Sequence, residues 1–149
     1  MGTTFQGLAM APKRDKLYAY QVNSNGLAEG AAVVVDSSVS GGAAKAPTGA
    51  AVKGFAGLIA DVLKAGTGTV SGNEYNLQRS GIGLGLLAPS TAVTYGQQLV
   101  IADTSGRLRP YNHGVDADCD IVGTSEVTLG SSSDTQAMLV NLDKFEYVA

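Results

Sequence analysis

The residue types that most often carry chemistry are sparse and scattered. His113 and Cys119 are the single histidine and the single cysteine. Close in sequence, they could form a nucleophile and its base, but such a pair also needs an orienting acid and an oxyanion site. No glycine-rich or helical context of that kind accompanies them, so they read as a loop histidine and a half-buried thiol. One Cys and one His cannot build a protein-only Cys/His zinc site, which wants four ligands, and no intramolecular disulfide is possible. Asp116-x-Asp118-x-Asp120 resembles the opening of a calcium loop. The sixth and twelfth positions, where that loop needs Gly and an acid, hold Ile121 and Val127, which excludes an EF-hand. A solvated acidic loop or an irregular cation site remains. Gly81-Ile-Gly83-Leu-Gly85 and Gly66-x-Gly68 lack the Lys-Ser/Thr or strand-to-helix context of phosphate loops, and read as glycine kinks in a β scaffold. No cofactor is expected.

Two groups of residues suit contact with other molecules. Lys13-Arg14-Asp15-Lys16 is the main basic cluster, and Phe5, Leu8, Met10, Leu17, Tyr18 and Tyr20 surround it. Aromatic and cationic residues of this kind are enriched in interface hot spots. The segment therefore reads as an arm that docks on a neighbouring subunit or an acidic protein surface. Arg107 and Arg109, two apart on a strand, fall on one face and form a second candidate contact.

Composition narrows the partners. The 149-residue chain carries a net charge of −3 and only 15% charged residues. That disfavours broad nucleic-acid or anionic-membrane binding. No apolar run approaches a membrane helix. Met1–Tyr20 has no apolar h-region, and its basic residues follow its apolar ones, so neither a secretory signal nor a transit peptide is expected.

The elements that must position these residues are short strands bounded by turns. Strands are expected over Lys16–Asn23, Ala31–Asp36, Phe55–Val62, Glu74–Arg79, Ile82–Leu87, Gln98–Ala102, Arg107–Tyr111, Ile121–Leu129 and Gln136–Leu142. Ser37–Thr48 reads as a small-residue loop, Gly66–Gly72 as a loop or short edge strand, and Asp143–Ala149 as a short mixed end. Gly54–Lys64 is the best helical candidate by composition, but its two glycines each cost a helix about 1 kcal/mol.

A weak internal repeat decides that segment. Leu27–Val35 aligns with Val93–Ile101 at an offset of 66, and Phe55-Ala56-Gly57 aligns with Ile121-Val122-Gly123 at the same offset. A turn glycine precedes an apolar strand in the first block. An apolar strand carries a glycine in the second, as where backbones approach closely. If Ile121–Val127 is a strand, so is Phe55–Val62. The expectation is a mainly β protein, with a compact barrel-like or sandwich-like body over 24–149 and an extended N-terminal arm or first strand over 1–23. The pseudo-repeat halves lie at about 27–90 and 93–142.

The text TYGQQLVIADTSGRLRPY, followed by DIVGTSEVTLGSSSDTQAMLVNL, resembles the small capsid cement, or head decoration, proteins of tailed bacteriophages. That family shows a turn glycine, an apolar run, Asp-x-x-Gly-basic-x-x-Pro, then an apolar-apolar-Gly-x-Ser/Ala strand and a closing strand. EGAAVVVD and KGFAGLIAD are similar to its upstream part. The likeness spans Leu27–Leu142; Asp61–Ser80 is longer than the family text, and Met1–Asn23 has no quoted counterpart. The resemblance implies a non-enzymatic virion protein, made in the bacterial cytoplasm, that binds the outside of an icosahedral shell. Its implied partners are the major capsid protein and itself, as a trimer ahead of a dimer. Other readings are a tail-tube or head–tail joining protein, or a small β-fold hydrolase or metal-binding domain.

Overall fold

The apolar run that begins at Ala32 forms a buried strand, and the first half of the molecule is built around it. The computed structural model describes residues 17–24, 26–38, 43–64 and 74–149. Strands β1 (Leu17–Gln21), β2 (Ala32–Val35), β3 (Ala44–Lys45), β4 (Phe55–Lys64) and β5 (Glu74–Gln78) form one sheet in the order β1-β5-β4-β2-β3. Its pairings are antiparallel, and a parallel bridge from Val22 to Ala44 joins the two edge strands.

The second half uses β6 (Ile82–Leu87), β7 (Gln98–Ile101), β8 (Leu108–Pro110), β10 (Gly123–Ser125) and β11 (Gln136–Asn141). They close into a barrel in the order β6-β11-β10-β7-β8, and β8 returns to β6 through the parallel pair Leu87–Leu108. Strand for strand this is the topology of the first half. Outside it, β9 (Cys119–Ile121) pairs antiparallel with β12 (Glu146–Val148), after a 3-10 turn at Leu142–Lys144.

The offset of 66 reappears in the hydrogen bonds. Ala32 and Val33 face Leu58 and Gly57; Gln98 and Leu99 face Thr124 and Gly123. The Gly30 N–H donates to Ile59 O at 2.7 Å, and the Gly96 N–H to Ser125 O at 2.7 Å. The Ile59 N–H donates to Ala31 O at 2.9 Å, and the Ser125 N–H to Gln97 O at 2.9 Å. Beyond the next turns the register persists at slightly different offsets, because the loops differ in length. Asp36 N–H to Ala43 O corresponds to Ala102 N–H to Arg107 O, and the pair Val35–Ala44 to Ile101–Leu108.

The same places are filled by apolar residues in both halves. Val22, Val33, Ala44, Ala56, Ile59, Tyr75 and Leu77 form the first core. Their counterparts are Leu87, Leu99, Leu108, Val122, Ser125, Met138 and Val140, each buried. Full burial of a large aliphatic side chain contributes about 1.5–3 kcal/mol. Ser125 is the polar exception; its hydroxyl donates to Val127 O at 2.7 Å, which satisfies it locally.

The halves meet along the outer face of β2. Ala32, Val34 and Leu58 join the cluster that fills the second barrel. The Ala32 N–H donates to Gly106 O at 2.8 Å. A Cβ at Gly106 would lie 2.4 Å from Ala32 O, so only glycine lets the β7–β8 turn approach this closely.

Several boundaries differ from the sequence reading. Ala44–Lys45 is a two-residue strand inside what reads as a loop, because its pairing comes from β2 and Val22 and not from local β-propensity. Ile121–Leu129 is not continuous: the chain leaves β9, enters β10, and reaches Leu129 as a bridge to Val93. The mixed C-terminal end holds β12, specified by its partner β9. The repeat also begins earlier than Leu27, since β1 belongs to the first half and β6 to the second. Gly66–Gly72 and the arm before Leu17 lie outside the described residues.

Candidate interaction surface

The loop entering β4 and the β9–β12 pair converge on one face, and the three aspartates of the acidic motif help to assemble it. Asp120 is buried, and its Oδ2 accepts the N–H groups of Gly54 and Phe55 at 2.8 Å each. The Asp120 N–H in turn donates to Val52 O at 3.1 Å. Asp118 lies outside, on a left-handed backbone with φ 49°. Its carboxylate takes Lys53 Nζ at 2.9 and 3.0 Å and the Tyr147 hydroxyl. The Tyr147 hydrogen bond, followed by Lys53, lowers the Asp118 pKa; the same contacts raise those of Tyr147 and Lys53. Asp116 turns away to the other side of the loop. It binds the Arg109 guanidinium in bidentate fashion at 2.7 and 2.8 Å and accepts the Asn112 N–H at 2.8 Å. Arg109 holds the Asp116 carboxyl below its ordinary value, against the desolvation that opposes it.

The three carboxylates thus serve three separate partners. Among the described residues there is no group of three or more His, Cys, Asp or Glu side chains placed to hold a metal ion. Cys119 is fully buried against Val100 and Ile121, and burial pushes its thiol pKa up. A buried neutral thiol is a poor nucleophile. His113 lies on the exposed loop, its ring edge against Tyr111 at 6.2 Å.

Beside the Lys53–Asp118–Tyr147 cluster, Phe145 stacks on Phe55 with ring centroids 6.1 Å apart. These rings and Arg79 line a groove of about 160 Å3. Phe145 and Tyr147 are each about half exposed, at 48% and 54%. The backbone carrying them is an edge: among the described residues, β12 pairs only with β9. An edge strand flanked by exposed aromatics offers both backbone hydrogen-bonding groups and apolar surface to a partner.

The residues singled out by sequence fall differently. Phe5, Leu8, Met10, Lys13, Arg14 and Lys16 lie outside the described residues. Tyr18 and Tyr20 are in β1, opposite Leu77 and Tyr75. Arg107 precedes β8, and its Nε donates to Asp103 at 2.7 Å across the hairpin turn. Arg109 braces β8 against the loop that holds Asp116. Both arginines are half-buried and internally paired. Phe55, Phe145 and Tyr147 were absent from the sequence candidates; the alternation Phe145-Glu-Tyr147 is the signal that marks them.

In comparisons with known proteins, no family model and no curated sequence matches the chain. Among the described residues no helix is long and apolar enough to cross a membrane.

Proposed function

We propose that this chain is a capsid cement protein of a tailed bacteriophage, a structural module that binds the outer surface of an icosahedral head and bridges neighbouring major capsid subunits. The observation that carries the reading is the coincidence of text and module. The residues that resemble the decoration family in the second half, Thr94–Leu142, supply four strands of one closed barrel, and the first half repeats its topology. A duplicated, low-charge β scaffold with an exposed aromatic edge suits assembly. Small polar residues and backbone make close, wet contacts at modest desolvation cost.

The work is mechanical. A cement that binds only the assembled shell stabilises that state by mass action, by about 2.7 kcal/mol per site at a free concentration near 100 Kd. The Phe55–Phe145–Tyr147 face and the basic-aromatic arm before Leu17 are the surfaces assigned to the shell and to neighbouring copies. Assembly takes place in the bacterial cytoplasm, and the finished protein sits on the virion exterior. Purified chain mixed with expanded, undecorated shells should co-sediment to a saturable ratio fixed by shell symmetry. Absence of co-sedimentation overturns the proposal, and self-assembly into rings or tubes without shells would favour a tail-tube component.

A further inference from the structure

The aromatic groove lies at the end of the first sheet where β1 begins. Strand β4 starts, β5 ends and β1 starts at that one end, since Gln78 faces both Leu58 and Leu17. Arg79, the next residue, is one wall of the groove. Phe55, at the start of β4, and the Phe145 ring stacked on it form the rest. Phe145 is 48% exposed, so the groove leaves aromatic surface in water. A lone exposed ring means little, but here sixteen residues of chain lead into β1 beside it.

We propose that the groove seats the chain's own N-terminal segment, residues 1–16, through one of its large apolar side chains. The internal repeat gives the direction. In the second half Asn141 faces Ile82, and one step further the Leu142 N–H donates to Gly81 O at 2.9 Å. Gln78 and Leu17 are the counterparts of Asn141 and Ile82, so the same step in the first half brings Lys16 to Arg79, the groove wall. The length suffices. Phe5, Leu8 and Met10 stand twelve, nine and seven residues before Leu17, and seven extended residues span about 23 Å. Ala11-Pro12 lies between Met10 and the basic cluster, and the residue before a proline favours extended backbone.

The chemistry matches as well. A space of about 160 Å3 holds one group of benzene size, which any of the three side chains supplies. Methionine in particular fills irregular gaps and makes favourable sulfur contacts with aromatic rings. Tethering places the segment at an effective concentration on the order of mM, so a contact too weak to form between separate molecules forms within one chain. An arm seated here lies beside Tyr147 and the β12 edge, which joins the two surfaces assigned to the shell into one. The inference concerns the free chain and its test uses no shells, so it fails separately from the shell-binding reading.

The sequence has no tryptophan, so Phe145→Trp in the full-length chain puts a single fluorescent reporter in the groove. Its emission is expected to be blue-shifted. Adding Phe5→Ser, Leu8→Ser and Met10→Ser together should raise its acrylamide quenching about twofold or more, in step with the apolar surface uncovered, with unchanged circular dichroism. Arg79→Trp, at an exposed position on the other wall, is a second reporter with the same expectation. Both readings should be independent of protein concentration, because the contact lies within one chain. A reporter as quenched as free tryptophan before the arm is altered, quenching unchanged by the triple substitution in either reporter, or protection lost on dilution overturns the proposal.

Discussion

Gly57 and Gly123 occupy one place in the two halves of the repeat. Gly57 faces Val33 and Gly123 faces Leu99. A Cβ on Gly57 would lie 3.0 Å from Gln78 O, and one on Gly123 would lie 2.3 Å from Asn141 O. Gln78 and Asn141 are themselves counterparts, paired with Leu58 and Thr124. At both places the neighbouring strand's backbone comes closer than a side chain ordinarily tolerates.

Substitution at either position is therefore expected to be harmful. Gly123→Ala drives a methyl into backbone and should cost about 1–3 kcal/mol or more. Gly57→Ala meets Gln78 O at 3.0 Å on a backbone with φ 153°, which side chains rarely adopt, and should destabilise as well. Urea unfolding of both variants checks this; negligible losses in both would contradict the close-approach account.

Asp120 ties the two halves together through the loop entering β4. Asp120→Ala leaves the Gly54 and Phe55 N–H groups, which are only partly shielded from water, without their acceptor, a loss of about 1.5 kcal/mol or more for hydrogen bonds to a charged group. Asp120→Asn keeps one acceptor oxygen and should cost less. Denaturant midpoints of the two variants measure the difference.

Acid should unfold the protein in a defined window. Asp36 Oδ1 accepts the N–H and hydroxyl of Ser38, and Oδ2 accepts from Asn23. These bonds, the Ser38 hydroxyl first and then Asn23, hold its pKa at about 2. A carboxyl whose folded pKa is depressed contributes stability above its unfolded pKa of about 4 and loses it as pH falls through the folded value. Asp116, lowered by Arg109, acts in the same direction. Tm should therefore fall as pH drops from about 4 towards 2, and Asp36→Asn should flatten part of that fall. A Tm that rises on acidification would contradict the assignment.

The repeat was legible in sequence because its two blocks are short, contiguous and in register. Leu27–Val35 and Phe55–Gly57 carry turn and close-approach glycines that local text can show. The lengths of the loops hid the rest. The counterpart of Ala44 is Leu108 and that of Leu77 is Val140, so neither keeps the offset of 66. Strand β3, at two residues, has no periodicity to read. The aromatic face escaped for another reason: Phe55 and Phe145 are far apart in the chain, and only the fold stacks them. Arg107 and Arg109 have the spacing of a contact pair, but Asp103 and Asp116 engage them from within the chain.

The exposed edge at β12 should matter more for binding than for folding. Phe145→Ala and Tyr147→Ala remove exposed aromatics of the kind that dominate interface energetics. Each is expected to weaken binding to expanded shells about tenfold or more, the loss of about 1.4 kcal/mol that a minor hot spot carries, with small changes in Tm. Unchanged shell affinity in both would remove this face from the binding surface.

The central claim is that the chain strengthens a shell by joining its subunits. Calorimetric melting of expanded phage shells, with and without saturating protein, tests it most directly. A higher melting temperature is expected for the decorated shell, rising with occupancy until the sites are filled. A shell that binds the protein yet melts at the undecorated temperature would contradict it.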